Sequence, residues 1–324
     1  MTKINFEKIG TTTADLIYQL HAKRRRRPSK RLGLSEAGHK CDRYLWLKFR
    51  WALPASFTGQ RLRLLDTGNR EERRVIAELK RIGYHVVDKD PETNRQFFVS
   101  LGHVGGMLDG KVTGVVEDPD TEHLLELKSI NQKGMDRLQQ RGLKSAKPEY
   151  WAQCQVYMHL AGIERTLFVA VCKNDDSIYV ERVKRDDEKA RELVDRVVQI
   201  THEQSPPAKK SADFPPCVYT SKDGTRWPCD FYDLCHGNQL PKRNCRTCCS
   251  ATPHVVVDSD DTSWPFWTCE LKGKVLDLRA QQRGCKDQLT IPPIINAELS
   301  AIDSDERTAT YVFDNGDTYQ EGRD

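Results

Sequence analysis

The chain of 324 residues is long enough for one large domain with one or two small modules, so a single small scaffold is excluded. Hydrophobic residues make up 38% and charged residues 30%, no apolar run approaches the length needed to cross a bilayer, and no signal-like apolar stretch opens the chain. These features predict a cytoplasmic protein without a membrane segment. The net charge of +4 is modest, so nucleic-acid binding has to depend on where the charge lies.

Positive charge is concentrated near the start of the chain, in the first predicted segment, residues 1–34. This basic run consists of Lys23, Arg24, Arg25, Arg26, Arg27, Lys30 and Arg31. Such a run is consistent with an arm that contacts DNA phosphates and equally with a solvated tail. The last predicted segment, 296–324, is instead rich in Asp and Glu and would repel phosphate.

Apolar spacing predicts the secondary structure of the next segment, residues 35–204. A helix over 64–82 ends at Gly83. Short apolar runs punctuated by glycines then predict a three-strand meander, and they cover 97–101, 104–108, 111–116 and 123–127. Two helices and two strands follow, and they cover 148–160, 166–172, 177–183 and 186–203. The order is therefore helix, three strands, helix, strand.

Four prolines between 205 and 216 predict a boundary after this segment. Most of the eleven cysteines lie beyond it, and in a reducing compartment clustered cysteines indicate metal or cluster ligands before disulfides. Cys154 and Cys172 lie in apolar segments and are expected to be ordinary buried side chains. Near the end, Asn315-Gly316 between two apolar runs predicts a hairpin, since this pair suits a type I′ turn.

Three polar residues end two of the predicted strands. Asp109 ends one strand, and Glu126 and Lys128 end another, so a hairpin across 118–121 can bring them together. Alternation puts Glu126 and Lys128 on one face and Leu127 toward the core. Two carboxylates can hold magnesium or manganese, and a nearby lysine can orient or deprotonate the attacking water. This pattern predicts catalytic hydrolysis of phosphodiester bonds.

Asp109-Gly110 followed by Glu126-Leu127-Lys128 resembles the signature of the PD-(D/E)XK nucleases. The flanking residues resemble the RecB-like and lambda-exonuclease-like branches of that superfamily, over about 35–200. The resemblance implies an α/β fold with a restriction-endonuclease-like αβββαβ core. Leu108 stands where the family name has proline. The glycines before Asp109 are expected to form a bulge or tight bend, with a close approach of the backbone to a phosphate or metal as the alternative. His103 among them is expected to be structural, with contact to the scissile phosphate as the alternative.

The resemblance also assigns residues on the two helices that flank the strands. Residues 65–72 are similar to the first-helix motif of the family, in which an acid four residues after a glycine completes the metal shell; this acid is Glu72, with Glu71 as the alternative. Gln153 and Tyr157 match the Q-x-x-x-Y motif, and one helical turn separates them, so both are expected to face the site. The Leu127 carbonyl is an additional expected metal ligand.

One early cysteine and three late ones resemble the iron-sulfur staple of AddB-type and CRISPR-associated RecB-like nucleases. The expected [4Fe-4S] ligands are Cys41, Cys217, Cys229 and Cys235, with the late three in a predicted segment 205–240. The sequence departs from the usual C-x2-C spacing because Arg226 occupies the position concerned. The alternative is a buried Cys41 and a zinc site made by the other three with His236.

A second cysteine group lies in the predicted segment 241–295. Its members Cys245, Cys248, Cys269 and Cys285 suit a tetrahedral zinc ribbon, although Gln288 stands where a second C-x2-C knuckle would place its ligand. Cys249 and His254 are alternative ligands. The segment is similar to a C-terminal zinc module of bacteriophage proteins in this nuclease family, which implies a phage or prophage source and a bacterial host cytoplasm.

The resemblance implies an exonuclease that resects linear DNA from the 5′ end in recombination or replication, alongside a single-strand annealing or binding protein. A structure-selective endonuclease is an alternative with the same chemistry. A catalytically silent DNA-binding or assembly module is an alternative of another class, and the intact acid and lysine set argues against it. A basic group near the second helix is expected either to line the DNA channel or to form a solvated loop; its members are Arg137, Arg141, Lys144 and Lys147.

Overall fold

The computed structural model of the protein describes residues 11–23, 29–54, 57–221, 223–259 and 262–322. Helix α1 (Thr13–Ala22) begins at a capping box in which Thr12 accepts a hydrogen bond from the Asp15 amide. Strand β1 (Leu32–Gly33), a 3-10 helix (Leu34–Glu36) and the largely buried helix α2 (Asp42–Phe49) follow. Arg24, Arg25, Arg26 and Arg27 of the basic run lie outside the described residues.

Helix α3 (Gly59–Arg81) begins at Gly59 rather than at the predicted Leu64, because Thr58 caps it by accepting a hydrogen bond from the Arg61 amide. Helix α1 packs on this first part of α3. A Cβ on Gly59 would lie 1.9 Å from the Tyr18 carbonyl oxygen, so only glycine permits the contact. On the other side of α3, Val75 and Ile76 are buried against the main sheet.

Seven strands follow between residues 85 and 184. They are β2 (His85–Val87), β3 (Phe98–Leu101), β4 (Val104–Met107), β5 (Gly110–Thr113), β6 (His123–Ile130), β7 (Arg165–Cys172) and β8 (Ile178–Lys184). The main sheet has the order β2-β5-β6-β7-β8, with β6 and β7 parallel and the other pairs antiparallel. Strand β2 is short and has no counterpart among the predicted elements.

The predicted single meander is wrong in its first part. Strands β3 and β4 leave the main sheet and form a small separate sheet with β1, in which Leu32 and Val104 are paired. These two strands separate because β4 pairs with β1, and the glycines of β4 allow bulky rings to lie against its backbone. A Cβ on Gly105 would lie 2.6 Å from Phe98 Cζ, and one on Gly106 would lie 2.4 Å from the Tyr157 hydroxyl.

Three further helices surround the main sheet: α4 (Gln132–Ala146), α5 (Pro148–Ala161) and α6 (Asp187–His202). The sequence predicts that the basic residues of the first of these segments either line a channel or lie in a solvated loop. The loop alternative is wrong, because the segment forms helix α4. Met135 and Leu138 are buried at helical spacing, which leaves Arg137, Arg141 and Lys144 exposed on the opposite face. Helix α5 is followed by Gly162, which caps its C-terminal end with φ +68°.

The cysteine-rich half, residues 205–295, consists of short helices and strands. They are β9 (Val218–Thr220), β10 (Arg226–Pro228), α7 (Tyr232–His236), a 3-10 helix (Cys245–Thr247), β11 (Ala251–Val257), β12 (Ser263–Cys269), β13 (Lys274–Val275), α8 (Leu278–Arg283) and a 3-10 helix (Pro292–Ile294). The largest hydrophobic core continues from α2 and α5 into this half, where it includes Trp267 and Ile294. Arg50 and Arg246, both buried, lie over the Trp267 ring at 5.1 and 4.9 Å and join the halves.

The last segment forms a three-stranded antiparallel sheet of β14 (Glu298–Asp303), β15 (Thr308–Val312) and β16 (Thr318–Gly322). The predicted hairpin is confirmed in β15 and β16. Its predicted type I′ turn is wrong, because Gly316 adopts φ +85° whereas Asn315 does not have the positive φ that this turn requires. The buried Glu321 side chain accepts hydrogen bonds from the Thr290 amide and hydroxyl, which ties this sheet to the preceding module. In the described part of the chain, no helix is long and apolar enough to cross a membrane.

Candidate active site

Asp109 directly precedes β5, and Glu126 lies on the adjacent strand β6 of the main sheet. Gly110 pairs with Leu125, which places the residue before β5 beside the middle of β6. The Leu127 amide donates a hydrogen bond of 2.8 Å to Asp109 Oδ2, so the Asp109 carboxylate is fixed against the backbone of β6. Glu126 and Lys128 lie within β6 rather than at its end, because this strand continues to Ile130.

Glu126 is the most enclosed of these side chains, with 3% of its surface exposed. Its Oε1 atom accepts a hydrogen bond of 2.7 Å from Gln153 Nε2 on helix α5 and another from Lys128 Nζ. The shared face of Glu126 and Lys128 therefore meets α5, as alternation predicts. Leu127 packs on the opposite side with Val75 and Ile76 of helix α3.

Glu72 reaches the same place from helix α3. It lines a pocket of about 320 Å³ together with Asp109, Leu127 and Lys128. Its Oε1 atom accepts a hydrogen bond of 3.4 Å from Gln96 Nε2. Glu71 also lines the pocket, but its carboxylate forms an ion pair of 3.3 Å with Arg74, its neighbour on the helix surface. These contacts favour Glu72 over Glu71 as the acid that acts with Asp109.

Burial raises the pKa of all three carboxyl groups, and the charge of Asp109 adds to the effect at Glu72 and Glu126. Burial, and then the charge of Asp109, raises the pKa of Glu72 to about 7. Burial raises the pKa of Glu126 to about 7, where Asp109 adds to the effect and Lys128 opposes it. Burial also raises the pKa of Asp109. Burial disfavours the charged Lys128 amine, but Glu126 and Asp109 outweigh it and raise its pKa. Negative charge thus exceeds the positive charge available here.

The donor set suits a hard divalent cation. Carboxylate oxygens from Glu72, Asp109 and Glu126 are the ligands that magnesium and manganese prefer, and a cation among them would relieve their mutual repulsion. Within the described residues, no three aspartate, glutamate, histidine or cysteine side chains are grouped so that they could hold a metal ion as they are arranged. In the present arrangement one Glu126 oxygen is held by Lys128 and Gln153. The residues therefore fit the metal by the chemistry of their oxygen donors.

Tyr157 lies one turn after Gln153 on α5 and is buried. Its hydroxyl lies against Gly106, which supports the structural role expected for that glycine. Burial, and then the charge of Glu126, raises the pKa of Tyr157, so the phenol stays protonated beside the carboxylates. His103 is also structural: it packs against Phe49 and Trp267 and its Nε2 atom lies 3.0 Å from the His254 carbonyl oxygen.

Sequence reasoning missed three polar residues that line the pocket, Asn69, Ser129 and Lys173. Lys173 directly follows β7, the parallel neighbour of β6. The carboxyl ends of parallel strands lie at one edge of a sheet, so this position was a detectable signal. Lys128 also lies over the Tyr150 ring at 5.5 Å, a contact that no motif indicated.

The described members of the basic run lie partly within the fold. Arg31 Nε donates a hydrogen bond of 3.0 Å to the Gly102 carbonyl, and its guanidinium lies over Phe98 at 5.5 Å. The Lys30 carbonyl accepts a hydrogen bond from Arg246, whereas its side chain is exposed. Lys23 directly follows α1. Arg31 therefore has structural contacts whatever else the run binds.

The structure brings the four cysteines of the expected staple to one place. Cys41, Cys217, Cys229 and Cys235 line one small cavity, together with His236. Cys41 Sγ accepts a hydrogen bond from the Tyr44 amide and Cys229 Sγ one from the Phe231 amide, both at 3.4 Å. All eleven cysteines are free of disulfides. Four thiols around one cavity fit the ligand set of a [4Fe-4S] cluster.

Three members of the second cysteine group lie near one another. Burial, and then the neighbouring thiols of Cys285 and Cys269, raises the pKa of Cys245. Cys248 follows the same 3-10 helix and is buried, and its thiol contacts that of Cys249. His254 is engaged elsewhere: its ring stacks on Phe266 and its Nε2 atom lies 2.8 Å from the Thr268 hydroxyl.

Comparison with known proteins gives a partial likeness. No protein-family model matches the chain, and no curated protein matches it either. Among solved structures, an alkaline exonuclease (LHK-Exo) from Laribacter hongkongensis is similar over 57% of this chain and 90% of its own, with 17% identity and a TM-score of 0.38. The structure of SSO0001 covers 60% and 87% respectively, with 13% identity and a TM-score of 0.38. A phage-related exonuclease from Haemophilus somnus 129PT covers 42% and 68%, with 15% identity and a TM-score of 0.32. At these values the function has to be inferred from the site itself.

Proposed function

We propose that the protein is a metal-dependent DNA nuclease of the PD-(D/E)XK type, which hydrolyses phosphodiester bonds. One observation carries the proposal: Glu72, Asp109 and Lys128 line one pocket, and Lys128 binds Glu126 directly behind it. A DNA-binding module has no use for three carboxyl groups with raised pKa values around a lysine. A hydrolase that recruits a cation to a phosphodiester needs this arrangement.

Glu72, Asp109 and Glu126 would hold magnesium or manganese, with the Leu127 carbonyl as an additional ligand. When bound, the metal supplies Lewis acidity toward the phosphate and lowers the pKa of a coordinated water. Lys128 is protonated in the present arrangement because its pKa is raised. Its role is then to donate a hydrogen bond that orients the attacking water or a phosphate oxygen. Gln153 holds Glu126 in position through its 2.7 Å hydrogen bond.

We further propose that the nuclease is an exonuclease that acts on linear DNA from the 5′ end, in phage recombination or replication within a bacterial cytoplasm. The match of Gln153 and Tyr157 to the Q-x-x-x-Y motif of the RecB-like branch supports a nuclease that acts on a DNA strand, whereas the 5′ polarity and the phage setting rest on the resemblance of the chain as a whole. Lys23, Lys30 and the residues 24–27 would contact DNA phosphates, which carry no sequence information. A single-strand annealing or binding protein is the proposed partner for the strand left behind.

We propose a structural [4Fe-4S] cluster on Cys41, Cys217, Cys229 and Cys235, and the single cavity that these cysteines line supports it. A cluster here would tie the start of α2 to α7, which are close in space but far apart in sequence. We propose a structural zinc ion on Cys245, Cys248, Cys269 and Cys285, which is supported by the mutual proximity of the first, third and fourth thiols.

The test of the exonuclease proposal is digestion of end-labelled linear DNA and of closed circular DNA with magnesium or manganese. An exonuclease digests only the linear form and releases a 5′ label before a 3′ label. Cleavage of circles would instead establish the endonuclease alternative. Binding without cleavage under either metal would contradict the nuclease proposal and favour the binding module.

A further inference from the structure

A cavity separate from the catalytic pocket has a volume of about 420 Å³. We call it the Phe97 cavity; Arg95, Gln96, Phe97, Phe98, Leu108 and Lys111 line it. Two of these residues connect it to the catalytic site. Leu108 directly precedes Asp109, and the Gln96 amide donates a 3.4 Å hydrogen bond to Glu72. The Phe97 cavity and the catalytic pocket are therefore adjacent, with these residues between them.

The position of the Phe98 ring in the Phe97 cavity is fixed by contacts on the side away from the cavity. Phe98 has Arg31 over one face of its ring at 5.5 Å, and its edge occupies the space that Gly105 leaves by lacking a Cβ. The ring nevertheless remains 46% exposed. Its cross-strand partner Met107, two residues before Asp109, is 54% exposed. An apolar surface thus continues from the cavity toward the catalytic carboxylates.

The cavity also carries positive charge beside its rings. Lys111 Nζ lies over the Phe97 ring at 5.2 Å, and its ion pair with Glu122 is long, at 3.8 Å. The Arg95 side chain is exposed at the end of a turn. That turn is ordered by Asp90, whose carboxylate accepts hydrogen bonds from the amides of Glu92 and Thr93. The cations are therefore presented by ordered backbone rather than by a free arm.

We infer that the Phe97 cavity binds one unpaired nucleotide of the DNA strand, with its base against Phe97 and Phe98 and its phosphate on Lys111 and Arg95. Aromatic rings with adjacent cations suit single-stranded nucleic acid, because every base has a stacking face. The volume suits one small planar ligand rather than a peptide segment with several side chains. This inference rests on the proposed function for its substrate class, and it adds a strand-holding site outside the catalytic pocket.

The experiment uses the full chain carrying Glu126→Gln, so that the strand is bound without being cut. A 12-nucleotide single strand containing one 2-aminopurine reports base stacking by its fluorescence, and anisotropy of an end label reports affinity. We expect Phe98→Ala to abolish the stacking quench and to weaken binding about tenfold. Phe98→Trp restores both. The matched control Ile302→Ala, an exposed apolar residue of β14, leaves both unchanged.

Charge and base contributions are tested separately. Lys111→Gln is expected to weaken binding and to make the affinity depend less on salt concentration. The control Lys184→Gln, which changes an exposed side chain of β8, should leave both the affinity and its salt dependence unchanged. A series of strands, each with one abasic site at a different position, tests the contribution of the base. We expect the parent protein to bind more weakly when the abasic site is at one particular position, and Phe98→Ala to show no such dependence on position. Equal affinity, quench and position dependence in the parent and in Phe98→Ala would overturn the inference.

Failure of the inference and failure of the proposed function give different results. If the wild-type protein cleaves DNA while the Phe98 and Lys111 variants bind normally, the cavity inference falls and the nuclease proposal stands. If the wild-type protein never cleaves DNA but shows Phe98-dependent quenching, the strand-holding site is supported and the nuclease proposal falls.

Discussion

The Gln153 side-chain amide donates a hydrogen bond of 2.7 Å to Glu126 Oε1 and thereby connects helix α5 to the buried carboxylate of β6. This contact leaves Glu126 with a defined orientation toward Asp109 and Glu72. Outer partners of metal ligands tune affinity because they fix how the ligand oxygens point.

Gln153→Ala is expected to raise the magnesium concentration required for half-maximal activity by about tenfold. The substitution removes the donor that orients Glu126 but leaves the carboxylate in place. The measurement is a magnesium titration of nuclease activity. Gln199→Ala, on the exposed face of α6, serves as the control and should titrate like the wild type. A normal titration for Gln153→Ala would show that this hydrogen bond has no part in metal binding.

Lys128→Ala is expected to lower thermal stability in the presence of a chelator and to regain part of it in magnesium. Removing the ammonium leaves Glu126 buried with less compensation, and breaking a buried pair costs about 3–5 kcal/mol. A divalent cation would replace part of the lost positive charge. Melting curves with and without magnesium measure this, and identical curves would argue against a metal site at these carboxylates.

Gly106→Ala is expected to destabilise the protein by about 1–3 kcal/mol, because its Cβ would lie 2.4 Å from the Tyr157 hydroxyl. Denaturant unfolding measures the loss, and Tyr157→Ala in the same chain should recover part of it. Gly68→Ala provides a control of opposite sign: its Cβ meets nothing closer than 3.8 Å, and alanine favours a helix interior over glycine. A silent Gly106→Ala would show that Tyr157 does not depend on this close approach.

His103 predicts a dependence of stability on pH. Burial, and then the charge of Arg246, lowers the pKa of His103 to about 3. The unfolded state therefore binds this proton first, so His103 contributes full stability above about pH 6.5 and loses it as the pH falls toward the folded-state pKa. His103→Gln should flatten the pH dependence of the unfolding free energy between pH 6 and about 4. An unchanged slope would contradict the assignment.

Cys41→Ser is expected to lower iron content and stability together, because it removes one of the four thiols around the cavity near α7. Anaerobic purification with iron analysis and visible absorption gives the readout. Cys172→Ser is the matched control, since Cys172 is buried in β7 away from that cavity. Equal iron content in both variants would refute the staple, and zinc in place of iron would support the alternative ligand set.

Local sequence patterns predicted the elements that hold the site. The helical spacing of Ile76 and Leu79, the alternation in β6 and the one-turn separation of Gln153 from Tyr157 each correspond to the observed elements. These features depend on residues close together in sequence, so periodicity detects them.

The differences arise where distant contacts decide the structure. Strands β3 and β4 leave the main sheet because β4 pairs with β1, about seventy residues earlier in the chain. The Phe97 cavity depends on how Phe98 fits over Gly105, and Lys173 reaches the pocket only because β7 pairs with β6. No local pattern specifies such pairings.

The most direct test of the central claim is release of acid-soluble nucleotides from linear DNA in magnesium by the wild type, Glu126→Gln and Glu117→Gln. Glu126 is buried at the site, whereas Glu117 is exposed in a turn and serves as the matched control. We expect the wild type and Glu117→Gln to digest the DNA equally, and Glu126→Gln or a chelator to abolish digestion. Undiminished digestion by Glu126→Gln would show that the hydrolysis does not come from this site.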